Sequence, residues 1–517
     1  MVRQSLKTAS LVVMAAALAA KAVGFMREIA VAHAFGTGTE YDAFVAGITV
    51  PAAICTLLEY GVPNLLVPVY ARARGRRALP VRFWLSALVC AAALAGAVAV
   101  FAPFVVSLVT PGLAEATSAK AVGILRAYAG MIFLGVFYAA GIARLQGQRY
   151  FTRPALGYIL LNLIVLASII MWSSRLGTYA IVWGMLGGTM LLILWYWWPT
   201  KGRPDGADDP GPGSDVEASA ALLGRAALGV MAVVIVGQLF FIVDRWWGSY
   251  LAPGSISALV YAITITNIPV AVIGTGMAVA IFPFLHDALS SGNDAEAQLI
   301  LERAVRYLIW LGVPLAVMLG LFSEPLIGLF LERGRFDAQS TRLTAGLLPF
   351  LALGTVFYSA TAIWDKVYYA QRRVGRLAAL VALIFAGKFL LSWCFVSPWG
   401  IKGLALATGL SYVGWGTLMY VGIDRAHRPA AGSTIAYLAK VVLLTLGGGI
   451  TGHYLWSLVV PALGGTLTIV RFVHVLLGTA FVWTPLLLMD GRWGIDERRK
   501  LREAISAALG HIRLHGL

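Results

Sequence analysis

Charge is scarce in this chain. Only 12% of its 517 residues are Asp, Glu, Lys or Arg, while 59% are hydrophobic and the mean hydropathy is +0.81. Soluble domains carry about 25% charged residues, so a water-soluble globule is excluded and an integral membrane protein is indicated. Cysteine is nearly absent as well. Cys55, Cys90 and Cys394 stand far apart in apolar stretches with no CxxC; this excludes a disulfide framework and reads as buried packing residues. Catalytic signatures are missing: there is no P-loop, no GxSxG and no HExxH, so neither an enzyme nor a nucleotide-driven pump is expected. The seven histidines are scattered, and His511 and His515 share an i,i+4 spacing at the chain end without a third ligand, so no metal and no cofactor are expected.

What the chain has is apolar runs of about 20 residues, the length that crosses some 30 Å of hydrocarbon. Fourteen are legible, near 8–35, 42–70, 83–109, 121–145, 154–173, 177–198, 221–249, 256–285, 305–331, 342–369, 377–396, 402–422, 435–458 and 468–490. Backbone polar groups facing lipid must be satisfied within each segment, which makes the fold an all-α integral membrane bundle of about 14 transmembrane helices. The Gly-, Pro- and Asp-rich stretch KGRPDGADDPGPGSDVEASA separates two sets of six and cannot bury apolar surface. The expected organisation is a six-helix lobe over 1–200, a linker over 201–220, a second six-helix lobe over 221–424, helices 13 and 14 within 425–490, and a basic amphipathic tail over 491–517 lying on the membrane surface. Midspan prolines Pro51 and Pro269, followed by Gly61/Pro68 and Gly276/Pro283, support a parallel duplication, although glycine and proline are common in membrane helices anyway.

The net charge of +16 resides in short loops, at Arg72–Arg82, Arg144–Arg153, Arg372–Arg376, Arg425–Arg428 and Arg492–Arg502, and at Arg3 and Lys7. Such clusters alternate with cation-poor loops and form no basic-aromatic patch, so they read as topology signals that place both termini in the cytoplasm, and no nucleic-acid partner is expected. The first apolar run continues into a charged half of the same helix, which argues against a cleavable leader.

Charge inside that first helix is the functional clue, because ionisable groups at bilayer depth are costly unless they face a polar path. Lys21, Gly24 and Arg27 recur every third residue, with Glu28 one further on, so the basic pair and Gly24 share one face suited to an anionic ligand. The alternative is that Arg27 and Glu28 pair with Asp42 or a neighbouring helix to hold the bundle. Arg245 beside Asp244, Glu59 and Lys388 also lie at hydrocarbon depth, and adjacent Asp244 and Arg245 are expected to point apart. Asp365 and Lys366 lie near a helix end where snorkelling suffices. With no nucleotide motif, transport would draw on an ion gradient, the membrane potential or the substrate's own gradient, and a secondary transporter fits two duplicated bundles better than a channel.

The stretch KAVGFMREIAVAHAFGTGTEYDAF, together with LEYGVPNLLVPVYAR, VDRWWGSYLAPGSISALVYA, IFPFLHDALSSGN and LFLERGRFDAQST, resembles the MurJ (MviN) family in order over roughly the first 420 residues. The resemblance implies a fourteen-helix member of the MOP exporter superfamily, with two six-helix lobes around a central cavity and helices 13 and 14 forming a lipid-facing groove. It implies a flippase working by alternating access in the bacterial inner membrane. The substrate would be lipid II, the undecaprenyl-diphosphate-linked precursor of peptidoglycan, carried from the cytoplasmic to the outer leaflet. The cavity roles would fall to Lys21, Arg27, Glu28 and Asp42, with Arg245 as a further cation for the anion. Departures from the family pattern bear on this. Cys55 and Thr56 stand where a basic pair is usual, Ile263 and Thr264 where Asp-Arg is usual, and Glu28 replaces an aspartate; YYAQRRVGRLAAL lacks a usual proline. A flippase for an exopolysaccharide unit or other lipid-linked oligosaccharide therefore stays open beside lipid II. So do an ion-coupled exporter of small cations, a polyprenyl-sugar transferase and a non-transporting scaffold.

Overall fold

The computed structural model describes residues 6–72, 80–148, 150–199, 231, 234–371, 373–459 and 467–489. The expected linker over 201–220 and the basic tail over 491–517 lie outside the described residues, as do parts of the basic loops. Among the described residues the regular structure is helical throughout, as the lipid argument requires.

Residues 1–257 together with 333–337 form one compact unit. It contains α1 (Leu6–Phe35), α2 (Thr39–Arg72), α3 (Val81–Val100), α4 (Ala102–Val109), α5 (Glu115–Tyr128), α6 (Gly130–Gly147), α7 (Thr152–Leu176), α8 (Tyr179–Trp197) and α9 (234–248). The breaks follow local chemistry. Gly36 ends α1 at φ +59°, Gly177 ends α7 at φ +57°, and Glu40 and Asp42 open α2 with carboxylates in its first turn, where the helix dipole favours negative charge. In this unit α2 packs on α5 and α6, and α1 packs on α7. Tyr138, Ile142, Leu145, Leu192 and Tyr196 form its aromatic-aliphatic core.

Residues 258–332 and 338–517 form the second unit. Here α10 (Ser255–Pro269), most of which belongs to this unit, runs through a π-helical turn, Val270–Thr275, into α11 (Gly276–Ser290). Then come α12 (Asp294–Leu321), α13 (Ser323–Phe330), α14 (Ala338–Ala345), α15 (Leu348–Ala370), α16 (Val374–Gly422), α17 (Ala431–Val459) and α18 (Leu467–Leu488). Asn293 caps α12 by accepting from the Glu296 N–H at 3.2 Å. The two midspan prolines behave differently: α2 continues unbroken through Pro51, whereas Pro269 leads into the π turn, a usual place for a missing N–H to be absorbed.

Ten helices among the described residues are long and apolar enough to cross a membrane, and α14 with α15, bent by 46°, supplies an eleventh. Helix α16 supplies two spans. Lys388 hydrogen-bonds Thr408, residues that a straight helix would hold about 30 Å apart at 1.5 Å per residue; the chain instead reverses at Gly400 (φ +55°, ψ −131°). With α1, which carries Lys21, Arg27 and Glu28, and α9, all fourteen segments expected from the sequence fall on helix where described.

Large apolar side chains stand exposed along these helices, among them Val89, Ile170, Met190 and Leu443. Hydrocarbon is their solvent, so exposure carries no penalty. The same physics corrects one expectation: Cys55 is buried, but Cys90 and Cys394 are exposed. In lipid, an apolar residue in a span packs equally well outward.

Candidate functional site

Helix α1 presents the charged face. Lys21 is exposed, and Arg27 and Glu28 are part-buried, their side chains 28% and 16% accessible. Arg27 and Glu28 are adjacent, yet their side chains meet: Nη2 of Arg27 donates to Oε1 of Glu28. The i,i+1 separation that sets such residues apart on a helix is overcome here by two long side chains curling together. Nη1 of Arg27 donates to Oδ1 of Asn162 on α7 at 2.9 Å, while Nδ2 of Asn162 donates to the Tyr158 carbonyl at 2.8 Å. Each end of the Asn162 amide is thereby used, and the guanidinium is held in one direction. Gly24, one turn earlier, sets the α1 backbone beside the same amide. Asn162 escaped the sequence reading; its signal was a polar amide in the apolar run LLNLIVLASII, of the kind that hydrogen-bonds between membrane helices.

Asp42 is buried, 3% accessible. Its Oδ2 accepts from the Gly254 N–H at 2.6 Å, and its Oδ1 accepts from the Ser257 N–H at 2.8 Å and the Ser257 hydroxyl at 2.7 Å. These are the first N–H groups of α10, so Asp42 caps that helix from another segment of the chain. Arg27 and Glu28 do not pair with it. Next to it, Glu40 accepts from the Thr178 N–H at 3.2 Å and pairs with Arg335 at 3.3 Å. The GRF of LFLERGRFDAQST closes the cluster: the Arg335 N–H donates to the His33 carbonyl at 2.9 Å. Gly36 and Gly334, both at φ +59°, lie so close to the Arg335 and His33 carbonyls that a Cβ on either would overlap them.

Arg245 turns back on its own helix. Its Nη1 donates to the Phe241 carbonyl at 2.7 Å and its guanidinium carbon sits 5.5 Å from the Phe241 ring, while Nε is buried with no hydrogen-bond partner among the described residues. At the departures from the family pattern the chain is packed rather than charged. Cys55 and Ile263 are buried, and the Thr56 hydroxyl closes onto the Ala52 carbonyl at 2.9 Å. Arg27 and Glu28 are thus brought together, with Lys21 exposed further along the same helix and Asp42 and Arg245 engaged elsewhere.

This arrangement can orient an anion: one guanidinium fixed by an amide and a carboxylate, with an exposed ammonium nearby on the same helix. It offers no nucleophile-base pair. Among the described residues no group of three or more His, Cys, Asp or Glu could hold a metal ion.

Residues 31–472 match the family described as lipid II flippase MurJ. Among proteins of known annotation, the lipid II flippase MurJ of Burkholderia cenocepacia is 24% identical over 438 residues, covering 80% of this chain and 83% of that protein. A protein of Rhizobium meliloti named "Probable lipid II flippase MurJ" is 26% identical over 464 residues, covering 85% and 84%. Among solved structures, lipid II flippase MurJ in an inward closed conformation superposes with a TM-score of 0.73 at 18% identity, covering 92% of this chain and 98% of that one. An inward-facing multidrug MATE transporter of the MOP superfamily follows the same fold at a TM-score of 0.62 and 14% identity, covering 78% and 97%. The chain has the helical membrane-transporter fold that MurJ and MATE proteins share, it is a multi-pass membrane protein, and it belongs to the lipid II flippase MurJ family.

Proposed function

We propose that this protein is a flippase that carries lipid II, the undecaprenyl-diphosphate-linked peptidoglycan precursor, from the cytoplasmic to the outer leaflet of the bacterial inner membrane by alternating access. The observation that carries the assignment to this chain's own residues is the fixed guanidinium of Arg27, held by Asn162 and Glu28, on the helix that also bears the exposed Lys21. A diphosphate needs neutralising charge with directed donors, and guanidinium supplies both. Lys21 adds a second positive charge, and Glu28 cancels part of it, so the face holds an anion without trapping it. Asp42 serves by tying the first turn of α2 to the start of α10, and Arg245 stands as a reserve cation of the same unit. The protein works as a transporter and not as an enzyme; lipid-linked glycan and membrane lipids are its partners, and the membrane potential or a coupling ion drives it. Both termini and the 201–220 linker between the lobes are cytoplasmic, in keeping with the alternation of basic loops.

Cys55/Thr56 and Ile263/Thr264 favour a second reading, in which the headgroup is that of another polyprenyl-diphosphate saccharide such as an exopolysaccharide unit. Complementation separates the two. In cells whose lipid II flippase can be switched off, expression of this protein should restore growth and the appearance of lipid II on the outer leaflet. Correct membrane insertion with no rescue, and lipid II held in the inner leaflet, would reject lipid II as the substrate.

A further inference from the structure

From Val441 to Met489 the sequence carries a single charged residue, Arg471, yet it places His453 on α17 and His474 on α18. Each lies about 10 Å, at 1.5 Å per residue, from the helix end next to 460–466. Ionisable side chains within apolar spans are retained for a purpose. The two rings meet, with centroids 5.6 Å apart and planes tilted by 32°. Trp456, one turn along α17 from His453, stacks on His474 at 4.5 Å, and the fully buried Phe322 makes T-shaped contacts with both imidazoles at 6.0 and 5.2 Å. His474 is 9% accessible and its Nε2 is buried with no hydrogen-bond partner among the described residues, whereas His453 is exposed. A buried nitrogen left without a partner needs a reason. Arg471, one turn from His474, brings no uncompensated charge to the pair, because Glu332 accepts from its Nη2 at 2.8 Å. Two imidazoles on one tetrahedral zinc ion, with Zn–N bonds of about 2.0–2.1 Å, hold their ring centroids about 5 Å apart, and about 6 Å apart as the angle opens; the observed separation falls in that span.

We propose that His453 and His474 form a site for an exchangeable divalent ion of the zinc and nickel class, which clamps α17 to α18. Imidazole nitrogen suits these ions, whereas magnesium and calcium take oxygen ligands. Two protein ligands are fewer than the three or four that hold a resident zinc, so water completes the coordination from the exposed side of His453 and occupancy follows the ion's concentration. Trp456 and Phe322 form an apolar collar that fixes the His474 ring, as the surroundings of a metal ligand do. A bound ion gives the His474 imidazole the partner that it lacks. This inference is independent of the substrate that the protein carries.

Thermal unfolding of the tag-free, full-length protein in detergent, stripped of metal and held at constant ionic strength, tests it. Zinc chloride and nickel chloride should each raise the unfolding temperature of the wild type by at least about 2 °C, saturably, through binding to the folded state. Magnesium chloride at the same concentration should not. His453→Gln, at an exposed position, should abolish the rise. His474→Phe, which keeps a ring for Trp456 and Phe322 but no ligand nitrogen, should abolish it too. His511→Gln combined with His515→Gln removes the i,i+4 histidine pair at the chain end and should leave the rise intact. A wild type indifferent to both zinc and nickel would overturn the proposal. So would a rise that survives in His453→Gln, or one that disappears with His511 and His515. Should His474→Phe fail to fold, His453→Gln alone decides.

Discussion

Asp42 and Ser257, 215 residues apart in the chain, are joined by two hydrogen bonds to one carboxylate oxygen, from the serine N–H at 2.8 Å and its hydroxyl at 2.7 Å. The other oxygen of Asp42 takes the Gly254 N–H at 2.6 Å. A residue that sequence position marks as a substrate contact is thus fully engaged in closing the N-terminus of a helix. The positive end of the helix dipole and the carboxylate stabilise each other, and the tie anchors the first turn of α2 to the start of α10.

Asp42→Asn should therefore act on stability before it acts on binding. The amide offers one acceptor, and its NH2 faces an N–H donor in place of the second, leaving a buried N–H unsatisfied at a cost of about 1–3 kcal/mol. Ser257→Ala retains the backbone donor and should cost about 1.5 kcal/mol, the low end for a bond to a charged group. Unfolding temperature measured in detergent should fall in the order Asp42→Asn, then Ser257→Ala, then wild type. An Asp42→Asn protein as stable as wild type would remove the capping role.

Much of this was legible in the sequence. Apolar runs of spanning length marked every helix that the structure describes, because hydrophobic length is what a membrane reads. The glycine turn after α1 and the LERGRF stretch were visible as motifs, but their mutual contact was not, since nothing local says that Gly36 lies against Arg335 or Gly334 against His33. Arg27 was found because charge in a span is rare, whereas Asn162 was passed over because one neutral amide does little to hydropathy. Cys90 and Cys394 misled through an assumption borrowed from soluble proteins, that apolar means inward.

Gly36→Ala and Gly334→Ala should each be strongly destabilising. Both positions have φ near +59°, a region where a Cβ costs roughly 1–2 kcal/mol. Each added methyl would also overlap a backbone carbonyl, of Arg335 and of His33 respectively, which backbone movement must relieve. By contrast Gly38→Ala, whose Cβ would meet nothing within 4 Å, should be tolerated. Comparing the yield of folded protein in membranes for the three variants checks this, and equal yields would contradict the interlocked turn.

Outside the spans, Asp424 carries a pH signature. The hydrogen bond from Arg373, at 2.7 Å, holds its carboxyl below the usual carboxylate range, with Arg376 assisting at 3.9 Å. Its pKa is depressed in the folded state, so the stabilisation is complete above the unfolded value of about 3.9 and is lost as pH falls through the lower folded value. Both partners are more than a third exposed, so the effect is small and screened by salt. The gap in unfolding temperature between wild type and Arg373→Ala should stay constant from pH 7 to about pH 5 and close below about pH 4. A gap that widens in acid would assign the interaction the wrong sign.

The last expectation concerns how Arg27 is aimed. Arg27→Ala removes both charge and fork, whereas Arg27→Lys keeps the charge and loses the planar pair of donors. Asn162→Ala leaves the guanidinium intact and removes the acceptor that directs Nη1. Hydrogen bonds to charged groups are worth about 1.5–3 kcal/mol, and each 1.4 kcal/mol is a factor of ten in rate. Flipping by Asn162→Ala should therefore fall by about tenfold, and by Arg27→Ala at least as far, to about a hundredfold if Arg27 contacts the phosphate directly. Arg27→Lys should lie between wild type and Arg27→Ala. The measurement is outer-leaflet appearance of lipid-linked substrate in proteoliposomes at matched protein content. The double variant separates positioning from an independent packing role. If Asn162 acts through Arg27, adding Asn162→Ala to Arg27→Ala costs almost nothing further. Full additivity of the two losses would mean that the amide serves the α1–α7 contact alone, and wild-type flipping by Arg27→Ala would remove the guanidinium from the transport path.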